Sequence, residues 1–527
     1  MKILVLGGYG VFGERLARLL VADGHELCIA GRNLEAAERL AAEIGCRACR
    51  MDRGGDLGEL SEYQVVVDAA GPFHAYGDDP YRLPRAAIAA GVHYLDLCDN
   101  AEFCAGIAVL SDEALRAGVC VLSGLSSVPA LSSAAVEALA AGGRVRVIDT
   151  AILPGNRAPR GFSVMQSILA QAGRPMKVWR GCRWERAFGW SDPARYDLPH
   201  GVVRQGWQIS VPDLRLFPAR FGAETVRFRA GLELGVMRYG LAGFAMLRRV
   251  LPIPVTSTVV RLFKALADGL AHFGSGRGGM SVMVQVGQER RWWRLLAEDG
   301  DGPFIPAVPA RALLRRKALP VGAGPALCVI SLAEAEAAMS DLRVVTERAV
   351  EAVMPIFPRV LGAAFARLPD EVRVTHLTAD CSRWAGRSVI ERGTGLWERG
   401  LAALFGFPAA AGDVAVEVTK TVTPRGETWV RWFGGKEFRS HLEATAAGMT
   451  ERFGPFTFLL GLRVEGGRLY YPVVRGRLGP LPLPRWLLPS AEACERAEDG
   501  RFCFDVAIFA PLTRRLIVRY RGWLMAA

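Results

Sequence analysis

Within its first twenty residues, MKILVLGGYGVFGERLARLL, the chain places glycines at Gly7, Gly8, Gly10 and Gly13, between an apolar run and an amphipathic one. Both spacings of a nucleotide loop are present, Gly8-x-Gly10-x-x-Gly13 and Gly7-x-x-Gly10-x-x-Gly13. The first glycine allows a tight turn out of KILVL, and the second lets backbone approach a pyrophosphate. The third lets the following helix pack on the strand. That helix, with Phe12, Leu16, Leu19 and Leu20 as its apolar stripe, presents N-terminal amides and a positive dipole end to phosphates. Strand, loop and helix in this order predict a nucleotide-binding turn at Gly7, Gly8, Tyr9, Gly10, Val11, Phe12 and Gly13, and the start of a parallel sheet.

The end of the second strand selects the cofactor. A site for NAD would place an acid there, about 20 residues past the loop, to bond the ribose 2′-hydroxyl. Here the residues are Ala30, Gly31, Arg32 and Asn33. An arginine suits a 2′-phosphate, so NADP(H) is expected; the alternative, Arg32 as a surface residue at a helix start, explains less of the missing acid. Asp52, after the third strand, is a candidate for the adenine side. The small residues Ala69, Ala70, Gly71 and Pro72, at the end of QVVVDAA, would let ribose and nicotinamide pass close to the backbone.

Alternation of strand-like and helix-like segments continues through KILVL, ELCIA, CRACRM, QVVVDAA, HYLDL and VCVLS. Three domains are expected. Residues 1–128 form a Rossmann-like parallel sheet, and residues 129–350 a mixed α+β region for substrate and oligomer contacts. Residues 351–527 form an antiparallel, β-rich, barrel-like domain. In the middle region GGMSVMVQVG and RRWWRLLAE read as a hairpin, and VVTERAVEAV, before Pro355 and Pro358, reads as helical. Beyond residue 414, seven period-two strands are expected: VAVEVTKTV, TWVRWF, EFRSHLEA, FTFLLGLRV, RLYYPVV, FCFDVAIF and RLIVRYRGWL. They need a barrel or a strongly curved sheet to bury one face.

Composition removes several alternatives. The net charge is +12, but arginine is spread along the chain and lysine numbers only six, so no basic patch for nucleic acid is expected. Eleven cysteines without a framework point to reduced thiols in the cytoplasm. Cys46 and Cys49 lack a second pair to complete a metal site, and no metal is expected. The uncharged stretch from Ala117 to Val136 contains five serines, two glycines and a proline, which argues against a membrane span. Residues 232–273 alternate apolar blocks with Arg248, Arg249, Arg261 and Lys264. They read either as helices on the protein's own core or as an interfacial pair touching a membrane or a lipidic ligand.

With GGYGVFG, AGRN, DAAGPF, AAGVHYLDLCD and SGLSSVPALSS in order, the first 130 or so residues resemble the saccharopine dehydrogenase-like NADP-binding domain. RGGMSVMVQV and GDGPFIPAVPA extend the likeness more loosely to about residue 345. Within that family the chain looks more like the branch of lipid-linked enoyl reductases than the lysine-pathway enzyme. Residues 355 to 525, with RWFGGKEFRSHL and RLYYPVVRGRLGPLPLPRWLLP, resemble a domain of unknown function of the DUF4166 type found behind such reductases.

The resemblance implies NADP(H) at Gly7, Gly10, Gly13, Arg32 and the 70–72 turn, and supplies no catalytic residue. None of the ten tyrosines has a lysine four residues on, so the usual short-chain dehydrogenase base is missing. Asp96, Asp99, Ser126 and Ser127 end strands near the expected crevice and are candidates for substrate orientation or proton delivery, or else plain caps and turns. His74 follows GPF and reads either as a nicotinamide-side residue or as a loop histidine. The leading expectation is an NADP(H)-dependent oxidoreductase acting on a hydrophobic or lipid-linked enoyl or keto substrate. Saccharopine-type imine chemistry and a non-catalytic NADP(H)-binding scaffold are the alternatives. A homodimer and peripheral membrane contact through residues 232–273 are the expected associations.

Overall fold

The computed structural model describes residues 1–527 except Asp56, Gly58, His74 and Ala75. The chain divides into two compact units, Met1–Glu351 and Ala352–Ala527.

The first unit opens with β1 (Lys2–Leu6), α1 (Val11–Ala22), β2 (Glu26–Gly31), α2 (Leu34–Ile44), β3 (Arg47–Arg50), β4 (Val65–Asp68) and α3 (Arg82–Ala89). It continues with β5 (His93–Asp96), α4 (Ala101–Gly106), α5 (Ser111–Ala117), β6 (Cys120–Ser123) and α6 (Ser132–Ala140). The strands are parallel in the order β3-β2-β1-β4-β5-β6, with the short Gly322–Pro325 added beside β6. That is the doubly wound order, whose direction reverses between β1 and β4. The central strands are apolar on both faces, because helices cover both.

A second, mixed sheet follows. It is built from β7 (Val145–Leu153), α7 (Phe162–Gln171), β8 (Pro175–Arg180), β9 (Arg183–Phe188), β10 (Ala194–Asp197), β11 (Val203–Gln208) and α8 (Pro212–Phe221). Then come β12 (Thr225–Gly231), α9 (Gly235–Val250), α10 (Ser257–Gly269), β13 (Gly278–Val286) and β14 (Glu289–Ala297). The strand order is β10-β11-β12-β7-β13-β14, completed by Val344–Ala352 at the edge. The expected hairpin is β13–β14, paired from Gly278 with Ala297 to Val286 with Glu289.

VVTERAVEAV is not helical. It forms the Val344–Ala352 edge strand, whose glutamate and arginine side chains project to ion pairs, Glu347 with Arg294 at 3.2 Å and Arg348 with Glu336 at 2.9 Å. Glutamate and alanine favour a helix locally, but the open edge of β14 supplies backbone partners that outweigh propensity.

In the second unit, thirteen antiparallel strands form one sheet, where seven were expected. Cys381–Arg392, Gly448–Phe453, Leu481–Pro482 and Ser490–Glu498 lie outside those seven, and FTFLLGLRV and RLYYPVV each break in two. Cys381–Arg392 pairs with the distant Leu516–Ala526, while Gly448–Phe453 and Ser490–Glu498 pair with neighbours along the chain and carry charged residues that obscure a period-two apolar pattern. The sheet is strongly curved: the ring of Tyr520 lies 5.3 Å from Phe433, three strands away, and 6.2 Å from Phe438, four strands away. One core of aromatic and aliphatic side chains lines the inside of the curve. Among the described residues no helix is long and apolar enough to cross a membrane.

In the first unit an ionic clasp ties α1 to the helix Val308–Leu314. Arg311, 2% exposed, gives two 2.8 Å hydrogen bonds to the Asp23 carboxylate, and Arg315 gives two more at 2.7 and 3.0 Å. Arg311 also bonds Asp341 and the Ala338 carbonyl. Hydrogen bonds from the two guanidinium groups hold Asp23 well below the usual carboxyl range against the opposing effect of burial. Asp23→Ala is expected to cost about 1–3 kcal/mol in chemical denaturation, because it removes the charge-assisted hydrogen bonds of Arg311 and Arg315 to Asp23 and leaves Arg311 with Asp341 as its carboxylate partner. The wild-type margin should shrink as the pH falls through the ordinary carboxyl range; an equal effect at pH 3 and pH 7 would contradict this.

Candidate functional site

A cavity of about 1490 Å³ lies in the first unit. Its wall includes the loop after β1, the ends of β2 and β4, α7, α9 and α10. The loop is shaped by two close backbone approaches. Gly7 has φ +73°, and a Cβ there would lie 2.7 Å from the Cα of Ala70. A Cβ on Gly13 would lie 2.3 Å from the Gly7 carbonyl oxygen. Thus Gly7-x-x-Gly10-x-x-Gly13 is the spacing the turn uses, while Gly8 packs against Ile29 and Val5. Gly10 caps α1 without any side-chain hydrogen bond.

Tyr9 joins this loop to the end of β2. Its hydroxyl accepts a 3.1 Å hydrogen bond from the Asn33 amide, and its ring lies so close to Gly31 that a Cβ there would be 2.3 Å away. Asn33 itself caps α2, its side chain accepting from Ala36 N. Of the residues expected around a cofactor, all but Gly8, Gly13 and Asn33 line the cavity. Arg32 and Asp52 stand exposed on its wall, and Asp52 accepts from Gly54 N at 3.1 Å.

The strand-end carboxylates have different placements. Asp68 accepts from Ala70 N at 3.0 Å and from the Tyr94 hydroxyl at 3.3 Å, with the Arg53 guanidinium 3.2 Å away. Arg53 in turn sits 3.1 Å from the Tyr76 ring centroid. Asp96 is fully buried and lies off the cavity wall. Its Oδ1 accepts from Cys98 N, Ser123 Oγ and Gly124 N at 2.9, 2.9 and 2.7 Å, so it shapes the turn that presents Ser126 and Ser127. Asp99, Ser126 and Ser127 do line the cavity. His74 lies outside the described residues.

The remaining wall is largely apolar, with Met165, Ile168 and Leu169 from α7, Met237 and Leu241 from α9, and Phe263, Leu266 and Ala267 from α10. Arg160, which the sequence pattern did not single out, brings a guanidinium here and is held by Asn156 Oδ1 at 2.5 Å. Ser163, in the first turn of α7, donates to the Gly71 carbonyl at 3.4 Å and so links this wall to the β4 turn. Arg248 departs from its expected basic-face role. It is 5% exposed and donates to the carbonyls of Leu169, Ala172 and Ile253, closing the C-terminal end of α7. Hydropathy patterning could not find this, since the partners lie in another helix.

A parallel sheet with a 3-2-1-4-5-6 order and a glycine loop at its reversal defines a dinucleotide-binding domain, here joined to a mixed sheet around one cavity. Residues 3–122 match the family model of the saccharopine dehydrogenase NADP binding domain, and residues 368–524 match that of a domain of unknown function, DUF4166. The chain therefore joins a saccharopine dehydrogenase NADP-binding domain to a DUF4166 domain. No curated protein matches it in sequence.

Among solved structures it is similar to apo saccharopine dehydrogenase (L-Glu forming) from Saccharomyces cerevisiae, at 14% identity, with 67% of this chain and 100% of that one covered and a TM-score of 0.46. A Gfo/Idh/MocA family oxidoreductase from Vibrio cholerae matches at 14% identity over 57% of this chain and 79% of its own, with a TM-score of 0.25. A short-chain type dehydrogenase/reductase from Mycobacterium ulcerans matches at 18% identity over 23% and 65%, with a TM-score of 0.20.

Two buried carboxyls near the site titrate near neutrality. Burial pushes Asp96 up to about 7, and it pushes Asp213, in the first turn of α8, up to about 8. Each keeps its proton in the folded chain at pH values where the unfolded chain has lost it. The stability they contribute is complete below the ordinary carboxyl range and is lost as the pH rises through 7 to 8. Unfolding free energy should therefore decline from pH 5 to pH 9, with Asp213→Asn flattening the decline. An unchanged slope in that variant would remove Asp213 as a cause.

Proposed function

We propose that the protein is an NADP(H)-dependent oxidoreductase that transfers a hydride to or from a hydrophobic, lipid-linked enoyl or keto substrate. The observation that supports this reading is the continuity of one cavity from the glycine loop to the apolar walls of α7, α9 and α10. The loop fits a dinucleotide: side chains are excluded at Gly7 and Gly13, and a Cβ on Gly10 would meet only the Gly7 carbonyl, at 3.1 Å. Gly7, Gly10 and the α1 amides would hold the pyrophosphate, and Arg32 the 2′-phosphate. The 69–72 turn would face ribose and nicotinamide. When bound, the cofactor supplies the hydride.

The chain's own residues then position and enclose the substrate. Leucine, methionine and phenylalanine side chains of the three helices hold an acyl chain and keep water away from it. Arg160 meets its polar end, and Asp99, Ser126 and Ser127 orient the reacting carbonyl or deliver a proton. An amino-acid substrate would call for paired charges. Among the described lining residues those from α7, α9 and α10 are uncharged, and the charges of the wall, Arg160 and Asp99 among them, lie outside these helices.

Access to this cavity would come from a lipid surface. Val236 and Leu266 are both exposed and on the cavity wall, which puts a mouth between α9 and α10. Around it Tyr239, Met246, Val250, Leu262 and Phe273 are exposed, with Arg249 and Arg261 among them. An apolar patch bordered by cations fits the headgroup and acyl boundary of an anionic bilayer.

In titrations NADPH should bind at least tenfold more tightly than NADH, and Arg32→Glu should abolish the difference. The wild type should oxidise NADPH with long-chain enoyl or keto substrates, and tight NADPH binding without turnover of any acyl or amino-acid substrate would leave the scaffold reading in place. In flotation with phosphatidylglycerol vesicles, wild type should rise with the lipid and a Met246→Glu, Val250→Glu variant should remain below. Wild type left at the bottom would remove the membrane contact.

A further inference from the structure

The second unit contains its own cavity, of about 150 Å³, inside the curve of the thirteen-stranded sheet. Aromatic and aliphatic side chains make most of its wall, the aromatic ones including Phe405, Phe433, Phe458, Phe502, Phe504 and Tyr520. An apolar cavity of this size accepts a molecule about as large as benzene.

One side of the wall is polar and deeply buried. Lys420 is 1% exposed; its Nζ donates to the Thr375 carbonyl at 2.7 Å, lies 3.5 Å from His376 Nδ1 and stands 3.9 Å from the Trp429 ring centroid. His376 Nε2 and the Tyr471 hydroxyl both bond Oε2 of Glu495, each at 2.6 Å, and Glu495 is 7% exposed. Arg431 donates to Glu451 at 3.1 Å and to Ser440 Oγ at 2.7 Å. Lys420, Arg431, Glu451, Tyr471 and Glu495 all line the cavity.

This arrangement defines the ligand. Two cations on the wall face two carboxylates on the same wall, so an ionic ligand would leave a charge unmatched in a desolvated space. Hydrogen-bonding capacity nevertheless remains. Glu495 Oε1 accepts from no described residue, and the Tyr520 hydroxyl makes no hydrogen bond to one. An acceptor and a hydroxyl beside an aromatic cup match a ligand that both donates and accepts one hydrogen bond and is otherwise apolar.

We propose that the C-terminal unit is a second ligand-binding site, specific for a small neutral alcohol or phenol of about benzene size. The ring or short carbon body lies among the phenylalanines, and the hydroxyl donates to Glu495 Oε1. Burial and the neighbouring Lys420 keep His376 neutral, down to about 4, so it donates from Nε2 and holds the carboxylate in place. This site is independent of the NADP(H) reading.

Calorimetric titration of the full-length protein with benzyl alcohol, toluene and benzoate tests it. Benzyl alcohol should bind at least tenfold more tightly than either of the others. Ala493→Phe, which fills the cavity from its wall, should abolish binding, and Glu495→Gln should weaken it at least tenfold. Near-ultraviolet circular dichroism and chemical denaturation serve as checks that both variants fold, and Val506→Phe replaces Ala493→Phe if that variant does not. Absence of benzyl alcohol binding, tighter binding of benzoate, or unchanged binding in the filled variant would each overturn the proposal.

Discussion

The contact on which the first unit depends is between backbone and backbone: the Gly7 carbonyl lies where a Cβ of residue 13 would be, and Ala70 lies where a Cβ of residue 7 would be. These approaches bring the start of α1 down onto the ends of β1 and β4, at the point where the strand order reverses. Any side chain in either place would force the helix and the 69–72 turn apart. The floor of the large cavity, and the exposure of the first amides of α1 toward it, follow from that single absence of side-chain volume.

Around this floor, charge serves mainly to position backbone. Asp68 and Asp96 end neighbouring strands; Asp68 accepts from Ala70 N and the Tyr94 hydroxyl, and Asp96 Oδ1 accepts from Cys98 N, Gly124 N and Ser123 Oγ. Arg248 donates to the carbonyls at the end of α7. Arg311 binds α1 to a helix almost three hundred residues away in sequence. In each case a buried polar or charged side chain satisfies backbone that would otherwise lie unpaired in an apolar interior. The second unit uses the opposite balance, with aromatic rings from well-separated strands filling the curve and a matched set of charges confined to one side.

Much of this was legible in the sequence where the determinants are local. The glycine loop and the six parallel strands follow from short-range pattern, and the structure repeats them with only small shifts at the ends. Three features were not legible. Residues 344–352 carry helix-forming side chains and become a strand because β14 has an open edge. Arg248 looks like a surface cation and is buried because α7 ends beside it. The strand Ser490–Glu498 has little apolar alternation and exists through its pairing with Arg501–Phe509. The involvement of Arg160 in the cavity was hidden for the same reason, since its placement comes from Asn156 and the helices packed above it.

The sequence by itself determined the α/β class of the first unit, the β-rich class of the second and the position of the nucleotide loop. Each rests on periodicity or on backbone conformations that only particular residues adopt within a few positions. Only the tertiary structure decided which charges are buried, which strands close the sheet edges and where two cavities lie. Those outcomes depend on volume and hydrogen-bond partners contributed by segments distant in the chain, and no local pattern records which segments will meet.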